Sequence, residues 1–177
     1  MAILKIARMG HPVLLARAAP VENPASAEIQ RLIADMRETM ADAGGVGLAA
    51  PQVHVPLRLF VYRLPPRPGG GGEEPGEEGV VINPEVEPLG EEKALAWEGC
   101  LSIPGLRGLV ERPARIRYRG LDGEGRVFER EAEGLEARVV QHETDHLDGI
   151  LYPMRMRDFR YFGFEAELAR FAAELTR

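Results

Sequence analysis

The sequence predicts an α+β fold in which antiparallel or mixed β-sheets pack around a helix carrying an H-E-x-x-H motif, with a further helix at the C-terminus. Helical periodicity occurs in three separated segments, and strand-like runs cluster between the first and the second. Regular strand-helix-strand repetition is missing, which argues against a doubly wound sheet. The 177 residues are the size of one domain, expected to span residues 1–177.

The first helix is expected from Ala27 to Met40, because Ile29, Leu32, Ile33, Met36 and Met40 recur at helical spacing after a capping serine, Ser26. Residues 43–47 follow with three glycines, which allow backbone approaches that a side chain would forbid. Leu57 to Tyr62 reads as a strand, although Phe60 interrupts its alternation. Leu64 to Gly79 holds four prolines, four consecutive glycines and four glutamates, so it offers nothing to bury and is expected to be a flexible loop, residues 64–79. Strands are expected again at Val80 to Asn83 and around Ala94 to Trp97. Arg115 to Arg119 and Arg126 to Arg130 flank a glycine-bearing turn and read as a hairpin. The second helix covers Leu135 to Leu147, with Gly149 as its stop. The last covers Phe164 to Leu175, with Phe164, Leu168, Phe171, Ala172 and Leu175 as its apolar stripe.

Composition narrows the function. Lys plus Arg number 22 against 28 for Asp plus Glu, a formal net charge of -6, which argues against an affinity built on neutralising phosphates. No stretch has the length and apolarity of a membrane span, and the N-terminal residues lack a secretory pattern, so a cytoplasmic chain is expected. A single cysteine, Cys100, can form no internal disulfide and favours a reducing compartment.

Chemistry concentrates in three segments. His142-Glu143-Thr144-Asp145-His146 places two imidazoles one helical turn apart, able to share a metal ion with Glu143 beside them to handle a proton. An ion with an open coordination position needs a third protein ligand. No histidine follows His146, and the downstream acids Asp148, Asp158, Glu165, Glu167 and Glu174 are weak candidates. Cys100 is the attractive one, since a thiolate suits Fe(II) or Zn(II), although a small buried hydrophobe is the alternative reading of the same residue. Gly45 to Gln52 lacks the spacing of a phosphate loop; its small residues suggest a backbone wall, and Gln52 either donates to an oxyanion or satisfies neighbouring backbone. His11 and His54 lie outside these segments and are not expected to be ligands.

Taken together, Gly45-Val-Gly-Leu-Ala-Ala-Pro-Gln52, Glu98-Gly-Cys-Leu-Ser102 and Gln141-His-Glu-Thr-Asp-His146 resemble, in order and separation, the three signature motifs of the peptide deformylase family. The resemblance implies hydrolytic removal of the formyl group from formylmethionine at the N-terminus of new polypeptides, with release of formate. It implies one divalent ion held by Cys100, His142 and His146, commonly Fe(II) as the native ion, with Zn(II), Ni(II) or Co(II) able to replace it. Metal-bound water would be the nucleophile and Glu143 the general acid/base. Gln52 and the backbone N–H of Leu101 would be oxyanion donors, Val46 and Gly47 would line the cleft, and Arg107 would lie near the exit of the substrate. Val46, Leu135 and Val139 are the candidate methionine pocket. Formylated nascent chains are the expected partners; the family's substrate leaves transient ribosome association possible, with the arginines at 155, 157, 160 and 170 making the C-terminal end worth testing. DNA and membranes are not expected, and the chain is expected to be a monomer. The competing readings are a small zinc endopeptidase and a closed structural metal module, the latter requiring a fourth ligand.

Overall fold

The computed structural model describes residues 2–66 and 76–175, without side chains beyond residue 170. Among the described residues eight strands form two antiparallel sheets. The larger has the order β1-β2-β3-β6-β7 (Gly47–Ala49, Leu59–Arg63, Glu78–Pro88, Arg115–Leu121, Val127–Glu133), and the smaller β4-β5-β8 (Lys93–Cys100, Ile103–Pro113, Phe162–Phe164). Three α-helices complete it: α1 (Ala27–Asp42), α2 (Gly134–Leu147) and α3 (Glu165–Leu175).

The imperfect alternation of the second strand has a physical cause. Leu59, Phe60, Val61 and Tyr62 are all buried because the larger sheet is covered on both faces. Leu59 and Val61 pack with Ile33, Met36 and Met40 of α1. Phe60 and Tyr62 pack with Ala137, Val139, Val140 and Leu147 of α2. A central helix clamped in this way holds its remaining face at a fixed height against β5 of the smaller sheet.

Most expected elements form with small shifts. Ser26 caps α1 by accepting from the Ile29 amide at 3.3 Å. Gly149, at φ +73°, follows α2 in the left-handed region. Several expectations need correction. The strand expected at 80–83 runs from Glu78 to Pro88, passing Pro84 through a register shift between Ile82 and Glu85; Asn83 stands there at φ +52° and its amide exchanges two 2.9 Å hydrogen bonds with the Val21 backbone. Residues 78 and 79 therefore belong to a strand and not to the loop expected over 64–79, and the Leu64 amide donates to Glu77 O at 2.8 Å. Positions 67–75 of that loop lie outside the described residues. β1, β5 and β8 had no expected counterpart. Phe164 belongs to β8, 63% exposed, instead of leading the helical stripe; the side chains of Phe171, Ala172 and Leu175 lie outside the described residues. Among the described residues no helix is long and apolar enough to cross a membrane.

Candidate active site

β4 ends at Cys100, and the two residues Leu101-Ser102 turn the chain into β5. This hairpin presents the sulfur to α2, where His142 and His146 stand one turn apart with ring centroids 5.1 Å from each other. Cys100 Sγ lies 3.2 Å from His146 Nε2, and the three candidate ligand atoms of Cys100, His142 and His146 all fall within 4.8 Å of one another. Among the described residues this is the only such group of three or more, so no fourth ligand closes it. The downstream acids are engaged elsewhere: Asp148 with Arg58, Asp158 with Arg160, Glu165 with Arg107 and Glu167 with Arg170. The side chain of Glu174 lies outside the described residues.

A charged cluster beneath the site holds the imidazole in place. Glu98, two residues before Cys100, contacts His142 Nδ1 at 2.8 Å through Oε2, which leaves Nε2 for the ligand group. Arg112 of β5 donates to both Glu98 oxygens at 2.6 and 2.9 Å and to Asp145 of α2 at 2.8 Å; Arg138 adds a 2.6 Å bond to Glu98 and Arg155 a 2.6 Å bond to Asp145. Burial alone would raise the Glu98 carboxyl, but hydrogen bonds from Arg112 and His142 hold it well below the usual carboxylate range. Burial disfavours the His142 imidazolium too, and the hydrogen bonds to Cys100 and Glu98 outweigh it, raising this histidine. At His146, burial and the neighbouring His142 and Arg112 charges push the other way.

Glu143 is buried, its Oε2 has no hydrogen-bond partner, and burial pushes the carboxyl up to about 7. A carboxylate left in this state beside three donor atoms fits a site built around a cation and a reacting water. Gly47 makes room for it: a Cβ there would sit 2.3 Å from Glu143 Oε1. Gly47→Ala is therefore expected to displace the carboxylate and lower kcat/KM at least about tenfold while the protein stays folded, which steady-state assays and circular dichroism check together. Gln52 satisfies neighbouring backbone and also turns its amide nitrogen to the site. Its Oε1 accepts from the Ala49 amide at 2.8 Å, and its Nε2 faces the site, 3.1 Å from Ser102 Oγ and 3.5 Å from Cys100 Sγ.

These groups floor a cavity of about 570 Å³ that Val46, Gly47, Gln52, Cys100, Leu101, Arg107, Leu135, Val139, His142 and Glu143 all line; of the residues singled out from the sequence, only His146 lies behind it. Val139 is buried, whereas Leu135 and Val46 are 47% and 46% exposed at the rim. His11 and His54 pair edge to face at 4.7 Å away from this cavity's lining. Arg112, Asp145 and Ser102 were not recognised from the sequence, and Glu98 was given no role. Asp145 sits between the two histidines and Glu98 and Ser102 bound the segment that holds Cys100, so position inside those segments was the available signal; Arg112 had none.

Two imidazoles and a sulfur from facing elements, with a buried carboxylate at the floor of an open cleft, are a set of groups suited to a hydrolase. The polypeptide deformylase family profile matches residues 3–161, and the chain belongs to that family of enzymes. It is 52% identical over 165 residues to peptide deformylase 1 of Bordetella pertussis, covering 90% of each chain, and 49% identical over 173 residues to peptide deformylase 1 of Xanthomonas axonopodis pv. citri, covering 94% of this chain and 98% of that one. The fold is similar to a Met-Ala-Ser-bound class I type b peptide deformylase from Acinetobacter baumannii (TM-score 0.79, 37% identity, 87% of this chain and 98% of that one). It is also similar to the peptide deformylase from Thermotoga maritima (TM-score 0.77, 40% identity, 88% and 99%).

Proposed function

We propose that this enzyme, acting as one catalytic domain, removes the formyl group from N-terminal formylmethionine of newly made polypeptides and releases formate. The partnerless Glu143 carboxylate beside the Cys100, His142 and His146 donor atoms carries this reading. Those three residues would hold a divalent ion, with Fe(II) our choice for the native one and Zn(II), Ni(II) or Co(II) as substitutes, since a sulfur with two imidazoles suits all four. When bound, such an ion supplies Lewis acidity and brings the ionisation of water from a pKa of about 16 toward about 7.

The protein's own groups do the rest. Water adds to the formyl carbon and the C–N bond breaks; Glu143 takes the water's proton and returns it to the departing amine nitrogen. Gln52 Nε2 and the Leu101 N–H donate to the oxygen on which negative charge grows, each such donor lowering the barrier by about 2.7–4 kcal/mol. β1 is an edge strand of the larger sheet, and apart from the Ala49 amide, which Gln52 takes, its outer side could offer backbone groups to an extended peptide, which suits an enzyme that must disregard sequence beyond the first residue. Val139, with Val46 and Leu135 at the rim, would receive the methionine side chain. A tight wall near Gly47 and Leu101 would select formyl over acetyl, and Gly45 packs beside that wall closely enough that an added Cβ would meet Leu101 Cδ1 at 2.8 Å.

We place this activity in the cytoplasm, on a monomer acting on nascent chains. Each arginine considered for ribosome docking pairs with an acid, Arg155 with Asp145, Arg157 with Glu111, Arg160 with Asp158 and Arg170 with Glu167, so contact there would require partner exchange. The decisive test is an anaerobic preparation with ion quantification and formate release from formyl- and acetyl-methionyl peptides. Near one ion per chain, formate release, and acetyl turnover about 10- to 200-fold slower are expected. Cys100→Ala should lose the ion and the activity together. An ion-replete enzyme that released no formate, or a Cys100→Ala protein that kept both, would overturn the reading.

A further inference from the structure

A second charged arrangement sits in the same cleft. Arg107 lies opposite Gly99 in the β4–β5 pairing and opposite Gly163 in the β5–β8 pairing. Its side chain runs alongside Gly99, where even a Cβ would be in ordinary van der Waals contact, 3.8 Å from Arg107 Cγ and 3.9 Å from Nε. The arginine thus crosses the strand one residue before Cys100. There Arg107 Nε forms an ion pair with Glu165 Oε1 at 2.8 Å, and both side chains line the cavity while staying about half exposed, at 45% and 58%. The short strand β8, paired to β5, delivers Glu165 to this point as the first residue of α3.

The cavity's other charges are differently placed. Glu98 and Arg138 are bonded to each other, and His142 and Glu143 belong to the reacting centre. A peptide continuing past its methionine toward the open end therefore meets Arg107 and Glu165 as its charged neighbours among the described residues. Alone, Arg107 would favour acidic residues in that peptide and disfavour basic ones, which is unsuited to an enzyme serving every new chain. An exposed ion pair has little net energy of its own, so an incoming peptide can open it cheaply.

We propose that Glu165 is a specificity-determining residue, which screens Arg107 and keeps the exit of the cleft indifferent to charge in the residues following the methionine. This rests on the deformylase reading of the site. A single unscreened charge a few ångströms away across water changes an interaction by about fivefold. In wild type, kcat/KM for formyl-Met-Ala-Asp-amide and formyl-Met-Ala-Lys-amide should agree within about twofold; the amide removes a terminal carboxylate that no nascent chain has nearby.

Glu165→Gln should favour the Asp peptide by about fivefold or more, Arg107→Gln should favour the Lys peptide, and the double variant should return toward parity. Because each ratio is taken within one protein, a general loss of rate cancels. Raising NaCl to about 1 M should erase the Glu165→Gln preference, whereas a merely structural role would leave the ratio unmoved by salt. A Glu165→Gln ratio equal to wild type, or both single variants shifting the same way, would overturn the proposal. Binding of the unformylated Met-Ala-Asp and Met-Ala-Lys amides, followed by calorimetry, carries the same comparison without turnover. Absence of formate from every peptide would therefore count against the deformylase reading, and an unchanged binding ratio against the role of Glu165.

Discussion

Glu143→Gln is expected to lower kcat by about 10²- to 10⁴-fold while leaving the ion content of the protein unchanged. Glutamine fills the same space against Gly47, so the substitution removes a proton acceptor without opening a cavity. The donor atoms of Cys100, His142 and His146 are untouched by it, and KM should move little because the carboxylate handles a proton and does not hold the peptide. Parallel ion quantification and formate release separate this outcome from simple loss of the ion. A variant that kept more than about a tenth of wild-type kcat would remove Glu143 from the chemistry.

The second large effect is expected at Arg112, which contacts neither the cleft nor the three donor atoms. Arg112→Met would leave buried Glu98 to Arg138 and His142 and Asp145 to Arg155, and removing one member of such a cluster costs up to about 3–5 kcal/mol. For a protein of this size that corresponds to a fall in Tm of about 6–20 °C, which calorimetry with and without added divalent ion would measure. Ion affinity should fall as well, because Glu98 orients His142. Arg112→Lys should recover only part of both losses: a point charge cannot donate through two parallel N–H groups to Glu98 while reaching Asp145.

The residues of the site were far more legible than the scaffold that aligns them. His142 and His146 announce themselves through helical spacing, and Cys100 through being the chain's single thiol. Their convergence was not derivable from the 42-residue gap between Cys100 and His142; it depends on β5, which carries no readable period. Its buried positions alternate at Val110 and Arg112, but the second of these is a charge, and its first half is broken by Pro104, Gly105 and Gly108. Gly108 is required by packing, since a Cβ would fall 2.4 Å from Met156 Sδ, so it looks like a loop residue in the sequence and behaves as a core residue in the fold. β1 and β8 are each three residues long, too short for alternation to register. β2 was found despite Phe60, and its double burial became intelligible only once α1 and α2 stood on opposite faces of it.

The tight turn after Cys100 also sets how the molecule tolerates changes in length. Side chains reverse faces at every step along a strand, so one residue added between Lys93 and Cys100 would aim the sulfur into solvent and pull Glu98 off the imidazole, even with every letter of the three signature segments intact. One residue added to the turn between β6 and β7 would disturb local bonds to Asp122 and the Gln30 bond to Gly123 O, and leave the site's register alone. Anyone grafting this centre onto another scaffold must therefore copy a count of residues as well as a set of them.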